Sequence, residues 1–194
     1  MIEQKNSNVY WNYFLALEND LAKISRYVEI HTDNFSAFSI ELAHLLLASA
    51  SEVDVIMKQL CNLIEPNKKH KNINDYRKCI KKNLPEMMLE KAFIPRFSIT
   101  LNPWVNWKEE NPLWWSAYNQ VKHERNNFFK EANLKNTLNS IAGLLISIYF
   151  YEKVKIDAEN GEECRSSDVL KVLQPDSNLL QLDQNYYPDY LEIS

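Results

Sequence analysis

Apolar residues recur along this chain at spacings of three and four almost throughout, and that period predicts helices wherever it is sustained. Tyr10, Phe14, Leu17, Leu21, Ile24 and Val28 mark a first amphipathic helix over about residues 8–30. HTDNFS then supplies turn and cap formers, and a second helix is predicted over 37–65. Its stripe is Leu42, Leu45, Leu46, Ser49, Val53, Ile56, Leu60 and Ile64, and Pro66 stops it. DYRKCIKKNL predicts a short third helix ending before Pro85. From Ala92 the period changes. Phe93, Pro95, Phe97, Ile99 and Leu101 alternate with Ile94, Arg96, Ser98 and Thr100, which predicts an extended segment over 93–101 with Pro95 at an edge.

The strongest apolar stretch, and the densest set of chemically capable side chains, lies between Leu113 and Phe150. Pro112 suits a helix start, and Trp114, Tyr118, Val121, Arg125 and Phe128 then share one stripe that should face a core. Asn119, His123, Asn126 and Lys130 share the opposite, polar face. The next helix is apolar on all sides: Leu134, Leu138, Ile141, Leu145 and Ile148 on one, Ala142, Ile146, Tyr149 and Phe150 on another. Such a helix belongs at the centre of a bundle. After AENGEECRSSD, the run VLKVLQPDSNLLQL over 169–182 predicts two short extended pieces about a Pro-Asp-Ser turn.

The fold class is therefore mainly α, an up-and-down bundle of four to five helices with small extended segments around 93–101 and 169–182. The 194 residues suffice for one substantial core, and only two glycines argue further against barrels and doubly wound sheets. The expected division is a bundle over 1–157 and an acidic C-terminal extension over 158–194, packing on the bundle or trailing from it.

A net charge of −4 does not advertise a polyanion partner, but its distribution is uneven. Lys68, Lys69, Lys71, Arg77, Lys78, Lys81 and Lys82 crowd one stretch, either as a solvated helix face or as a phosphate-facing lip. Trp104 and Trp107 could stack bases or plug the core, and the core is favoured. Cys61, Cys79 and Cys164 are scattered without CxxC or Cys/His ligand spacing, so neither a disulfide framework nor a metal site is expected. No cofactor motif is present. Neither a signal-like N-terminus nor an apolar run long enough for a bilayer is found, and a cytoplasmic protein with no membrane partner is expected.

One cluster can do chemistry: Asn119, Lys122, His123, Arg125 and Asn126. Histidine exchanges a proton near neutral pH and arginine offers a permanent fork of donors to phosphate oxygens. On an unbroken helix, however, residues two apart point about 200° from one another, so His123 should face out and Arg125 in. Two accounts follow. In one, Arg125 is a buried structural arginine paired with Glu52 or Asp54. In the other, helix ends or a second subunit bring His123 and Arg125 together. The acids Glu41, Glu52 and Asp54 do not converge, which disfavours metal-dependent hydrolysis.

The segment WWSAYNQVKHERNNFFKEANLKNTLNSIAGLLISIYFY resembles the signature of prokaryotic members of the HEPN superfamily, and FSIELAHLLLASASEVDVIMKQLC resembles their second helix. Together these cover about half the chain. The resemblance implies an all-α bundle, a homodimer, RNA as substrate, and metal-independent endoribonuclease activity within a toxin-antitoxin or antiphage defence system, with an antitoxin or defence-system protein as a further partner. Family members that cleave carry an arginine followed a few residues later by a histidine. Here Arg125 and Asn126 match the start of that pattern, whereas Phe129, Lys130, Glu131 and Ala132 stand where the histidine belongs and His123 precedes the arginine. The roles implied are His123 and Arg125 as catalytic groups and Asn119, Lys122 and Asn126 as substrate-binding ones. The alternative is a non-catalytic helical module for dimerisation or partner binding, in which Arg125 is structural.

Overall fold

The computed structural model describes residues 7–187; expectations for residues 1–6 and 188–194, the acidic aromatic end included, lie outside them. Among the described residues there are six α-helices and one two-stranded antiparallel sheet, a mainly α fold. The helices are α1 (Val9–Ile24), α2 (Ile40–Ile64), α3 (Ile73–Asn83), α4 (Leu113–Phe128), α5 (Leu134–Asn160) and α6 (Ser166–Val172). Asn8, Ser39, Asn72 and Asn133 begin α1, α2, α3 and α5 by accepting hydrogen bonds from first-turn amides, which removes orphan donors at each start.

Helices α2 and α5 form the central pair. Thr137 Oγ1 donates to Leu42 O at 3.2 Å and Ser49 Oγ meets Ser140 Oγ at 2.6 Å, so the two helices advance in the same direction. These buried hydroxyls are all hydrogen-bonded: Ser49 also donates to Leu45 O at 2.7 Å, which leaves Ser140 free to donate to it. As its all-round apolar pattern predicts, α5 is buried on every side from Leu138 to Phe150, save for Asn139. Helix α4 is joined to α5 by residues 129–133 and returns antiparallel along it. At its start Trp114 packs so closely on Gly143 that a Cβ there would lie 3.1 Å from the ring. A side chain there would require the indole to give by a few tenths of an ångström.

Three expectations need correction. The first helix stops at Ile24, not near residue 30: Ser25 turns back to bond Ala22 O, and the chain leaves the helix through an exposed Tyr27. The alternation over 93–101 is a hairpin, β1 (Ala92–Ile94) and β2 (Ile99–Leu101), because Pro95–Phe97 forms a tight turn ending in a left-handed Ser98 at φ 53°. Residues 169–172, expected as extended, belong to α6; Asp168 accepts from the Arg165 amide to close its first turn, and only Gln181 pairs in extended form, with Phe93.

The boundary expected at residue 157 falls within α5, which continues to Asn160 before Gly161 caps it at φ 75°. Beyond it, Val169, Leu173, Leu179, Leu180 and Leu182 are buried against the bundle. One acid organises this docking. The Glu18 carboxylate of α1, itself buried, accepts the amides of Asn178, Leu179 and Leu180 at 3.0, 3.0 and 2.8 Å, and the hydroxyl of Ser177. No described helix is long and apolar enough to cross a membrane.

Candidate functional site

Helix α4 does not run straight through its cluster of polar residues. Glu124 leaves the helical range, with φ −139° and ψ 49°, and the chain re-enters a helical turn beyond it. The break cancels the geometric objection to Arg125, since the rule that places residues two apart on opposite sides holds only for an unbroken helix. Arg125 is accordingly exposed, not part of the core stripe with Trp114 and Tyr118. Its guanidinium forms no hydrogen bond or ion pair with any described residue.

The expected pairing of Arg125 with Glu52 or Asp54 is therefore not formed. Asp54 accepts the phenol of Tyr76 at 3.1 Å. Glu52 is partly buried, and desolvation raises its carboxyl above the ordinary range.

What Arg125 does meet is a groove of about 520 Å³ lined by Ile40, Ala43, His44, Arg125, Asn126 and Phe129. Two elements make it: the first turn of α2 contributes Ile40, Ala43 and His44, and the broken end of α4 with its following turn contributes the rest. Phe129 is fixed edge-to-face on Phe38 with ring centres 5.4 Å apart. His44 Nδ1 stands 3.7 Å from Glu41 Oε2, one turn earlier on the same helix. The groove thus brings together an imidazole with a neighbouring carboxylate, an unpaired guanidinium and a side-chain amide, on an apolar floor. Those are the groups needed to hold a phosphate and move a proton beside it.

The remaining expected site residues stay outside this groove. His123 is exposed but does not line it. Lys122 folds back on its own helix, Nζ donating to Tyr118 Oη at 3.1 Å and lying over the ring at 5.2 Å. That hydrogen bond, helped by Asp54, holds the Lys122 ammonium above the usual lysine range. Asn119 donates to the Trp115 carbonyl at 2.9 Å. Of the five predicted residues, only Arg125 and Asn126 meet. The residue missed is His44, whose weak signal was a histidine at the start of the helix that follows a Ser cap.

Other sequence candidates resolve into structure. Trp104 and Trp107 are buried with ring centres 4.4 Å apart, and Trp104 meets Trp114 edge-on, so they plug the core and offer no platform for bases. Within the basic stretch, Arg77 bonds Glu109 O and the side chains of Asn74 and Asn111, Lys81 bonds Lys108 O, and Lys68 and Lys82 both reach Glu65. Arg77, Lys81 and Lys82 tie α3 to its neighbours, and Lys68 pairs within the loop before it. Cys61, His70 and Cys79, too scattered in the sequence to read as a ligand set, place their ligand atoms within 4.8 Å of one another.

Comparison with protein-family models, with curated proteins and with solved structures yields no match to this chain.

Proposed function

We propose that the protein is an RNA-directed, HEPN-like protein that acts as a metal-independent endoribonuclease, with His44 and Arg125 as its working pair. The observation that carries this reading is the free guanidinium of Arg125 sharing a groove with His44 and Asn126. An arginine with no acid to satisfy it, lining the same groove as an imidazole, is prepared for an external anion. Cleavage would proceed by attack of the ribose 2′-hydroxyl on the adjacent phosphate. The O–P bond to the nucleophile forms, the bond to the 5′-oxygen breaks, and imidazole moves the protons between them. Arg125 steadies the extra negative charge at phosphorus and Asn126 positions the phosphate oxygens. Glu41, 3.7 Å away, places a negative charge beside the His44 ring. His44 replaces His123 in this scheme because His44 shares the groove.

A cytoplasmic toxin or antiphage factor acting as a homodimer fits the same reading. Phe38 and Ile40, at the rim of the groove, are 51% and 63% exposed. Large apolar side chains presented together at that level suit a self-association surface that would set two grooves side by side.

That same apolar rim favours the second reading, a non-catalytic module that grips a partner protein. Incubation of the purified protein with total RNA in excess chelator separates them. Cleavage abolished by His44→Ala and by Arg125→Ala, but retained by His123→Ala, supports the nuclease. Cleavage that survives both groove variants refutes the His44–Arg125 pair, and no cleavage by wild-type protein shown to be folded in the same buffer leaves only the binding module.

A further inference from the structure

Helix α2 ends and α3 begins around a second, separate cluster. Cys61 lies in the last turn of α2, where its carbonyl accepts the capping amide of Glu65 at 2.9 Å, and Cys79 lies two turns into α3. His70 sits midway along the connecting loop. In that loop Pro66, Asn67, Lys68, Lys69, Lys71 and Asn72 are all exposed, yet His70 turns inward and is only 5% exposed. A polar ring buried out of an otherwise solvated, basic loop calls for a partner, because a buried polar group left without one carries its full desolvation cost. Its Nε2 has no hydrogen bond among the described residues. Two thiols, both buried, face it.

A fourth donor is at hand. Glu65 uses Oε1 to bind Lys68 at 2.8 Å and Lys82 at 3.5 Å, which leaves Oε2 turned toward the histidine at 3.9 Å from Nε2. We propose that Cys61, His70, Cys79 and Glu65 form a structural zinc site that locks the end of α2 to α3.

Two thiolates, an imidazole and a carboxylate are the donor set that a borderline-soft, tetrahedral divalent ion selects. With Zn–S near 2.3 Å and Zn–N near 2.0 Å, ligand atoms in such a site stand roughly 3.3–3.8 Å apart. Cys61, His70 and Cys79, within 4.8 Å of one another, close to that by rotation of side chains, whereas Glu65 Oε2, 3.9 Å from His70 Nε2, must swing further to join them. On binding, each thiol releases its proton to solvent and no electron moves. The ion and its three anionic ligands carry one net negative charge, which Lys68 and Lys82 already face. All four positions are filled by protein and the cysteines are buried, so the site is closed and serves the fold, not hydrolysis. It lies apart from the groove formed by α2 and α4 and takes no part in the chemistry proposed there, so cleavage in chelator is read only where a melting curve in the same buffer shows the fold intact.

The test is metal content and cobalt spectroscopy on the full-length protein, purified under reducing conditions. One equivalent of zinc per chain is expected, replaceable by cobalt(II) with sulfur-to-metal charge-transfer bands and the intense visible bands of tetrahedral geometry. Cys79→Ser should lose the charge-transfer intensity of one thiolate and Cys164→Ser should leave the spectrum unchanged. If Cys79→Ser fails to fold, thiol counting on the wild type decides: two cysteines should resist a thiol reagent until a strong chelator removes the ion. Absence of bound zinc together with no charge-transfer bands on cobalt addition overturns the proposal. So does a Cys61–Cys79 disulfide in non-reducing peptide mapping, or loss of the cobalt spectrum in Cys164→Ser.

Discussion

Replacing Glu18 by alanine should release the C-terminal extension from the bundle. The carboxylate holds four donors, but they are not equivalent. Ser177 also bonds Leu180 O and can turn to it fully, and Asn178 is exposed, so water can take its amide. Leu179 and Leu180 are buried, and their amides would be left without an acceptor. At about 1–3 kcal/mol for each stranded buried donor, the loss is roughly 2–6 kcal/mol. For a chain of this size that corresponds to a fall in melting temperature of roughly 4–24 °C at about 2–4 °C per kcal/mol. Glu18→Gln keeps an oxygen for the position of Oε1, which serves both buried amides, and gives up only the charge and the exposed Asn178 contact. It should lose about 1–2 kcal/mol. Differential scanning fluorimetry gives the order wild type, Gln, Ala, and hydrogen exchange should accelerate at residues 178–182 before it does in α2 or α5. An alanine variant with an unchanged melting temperature and unchanged exchange at Leu179 and Leu180 would refute the role given to Glu18.

Arg125→Ala should leave thermal stability within about 0.5 kcal/mol, since an exposed, unpaired side chain is removed, and a large drop in melting temperature would restore the structural role. Ile40→Asp should convert the expected dimer to a monomer in light scattering at micromolar concentration; a wild type that is monomeric throughout defeats the dimer. Burial pushes the Asp157 carboxyl up, but the amide of Cys164 at 2.6 Å and Lys153 at 3.1 Å outweigh it and hold it below the usual range. Its stabilisation is therefore complete above the unfolded pKa of about 3.9 and is lost as pH falls through the lower folded value. Urea midpoints of wild type and Asp157→Asn should differ at neutral pH and converge in strong acid; a gap that widens on acidification contradicts the sign. Gly143→Leu should cost about 3 kcal/mol or more by driving into Trp114, read as loss of melting temperature; near-wild-type stability would show that the indole can move.

The helical core was legible in the sequence because its period is unbroken: α2, expected over 37–65, runs from Ile40 to Ile64 with Pro66 just past its end, and the apolar faces expected from Leu134 to Phe150 all fall within α5, which continues to Asn160. Where the reading failed, the deciding contact was distant or backbone-borne. The hairpin at 92–101 depends on a turn that Pro95 begins and a left-handed Ser98 completes, and alternation alone cannot show a reversal. The departure at Glu124 carries no glycine or proline to announce it, yet it moves Arg125 from the core stripe to solvent. His44 and Arg125 are far apart in the chain and meet only because α2 and α4 pack end to end at the groove. Cys61, His70 and Cys79 likewise match no compact ligand spacing; the α2–α3 corner makes them neighbours.

Product chemistry on a short RNA tests the central claim most directly. Wild-type protein, in excess chelator and with a melting curve recorded in the same buffer to verify folding, should leave 2′,3′-cyclic phosphate ends. A single 2′-deoxy substitution at the cleaved nucleotide should block the reaction, and His44→Ala or Arg125→Ala should abolish it. Cleavage that proceeds through the deoxy position, or equal cleavage by both variants, would contradict the account.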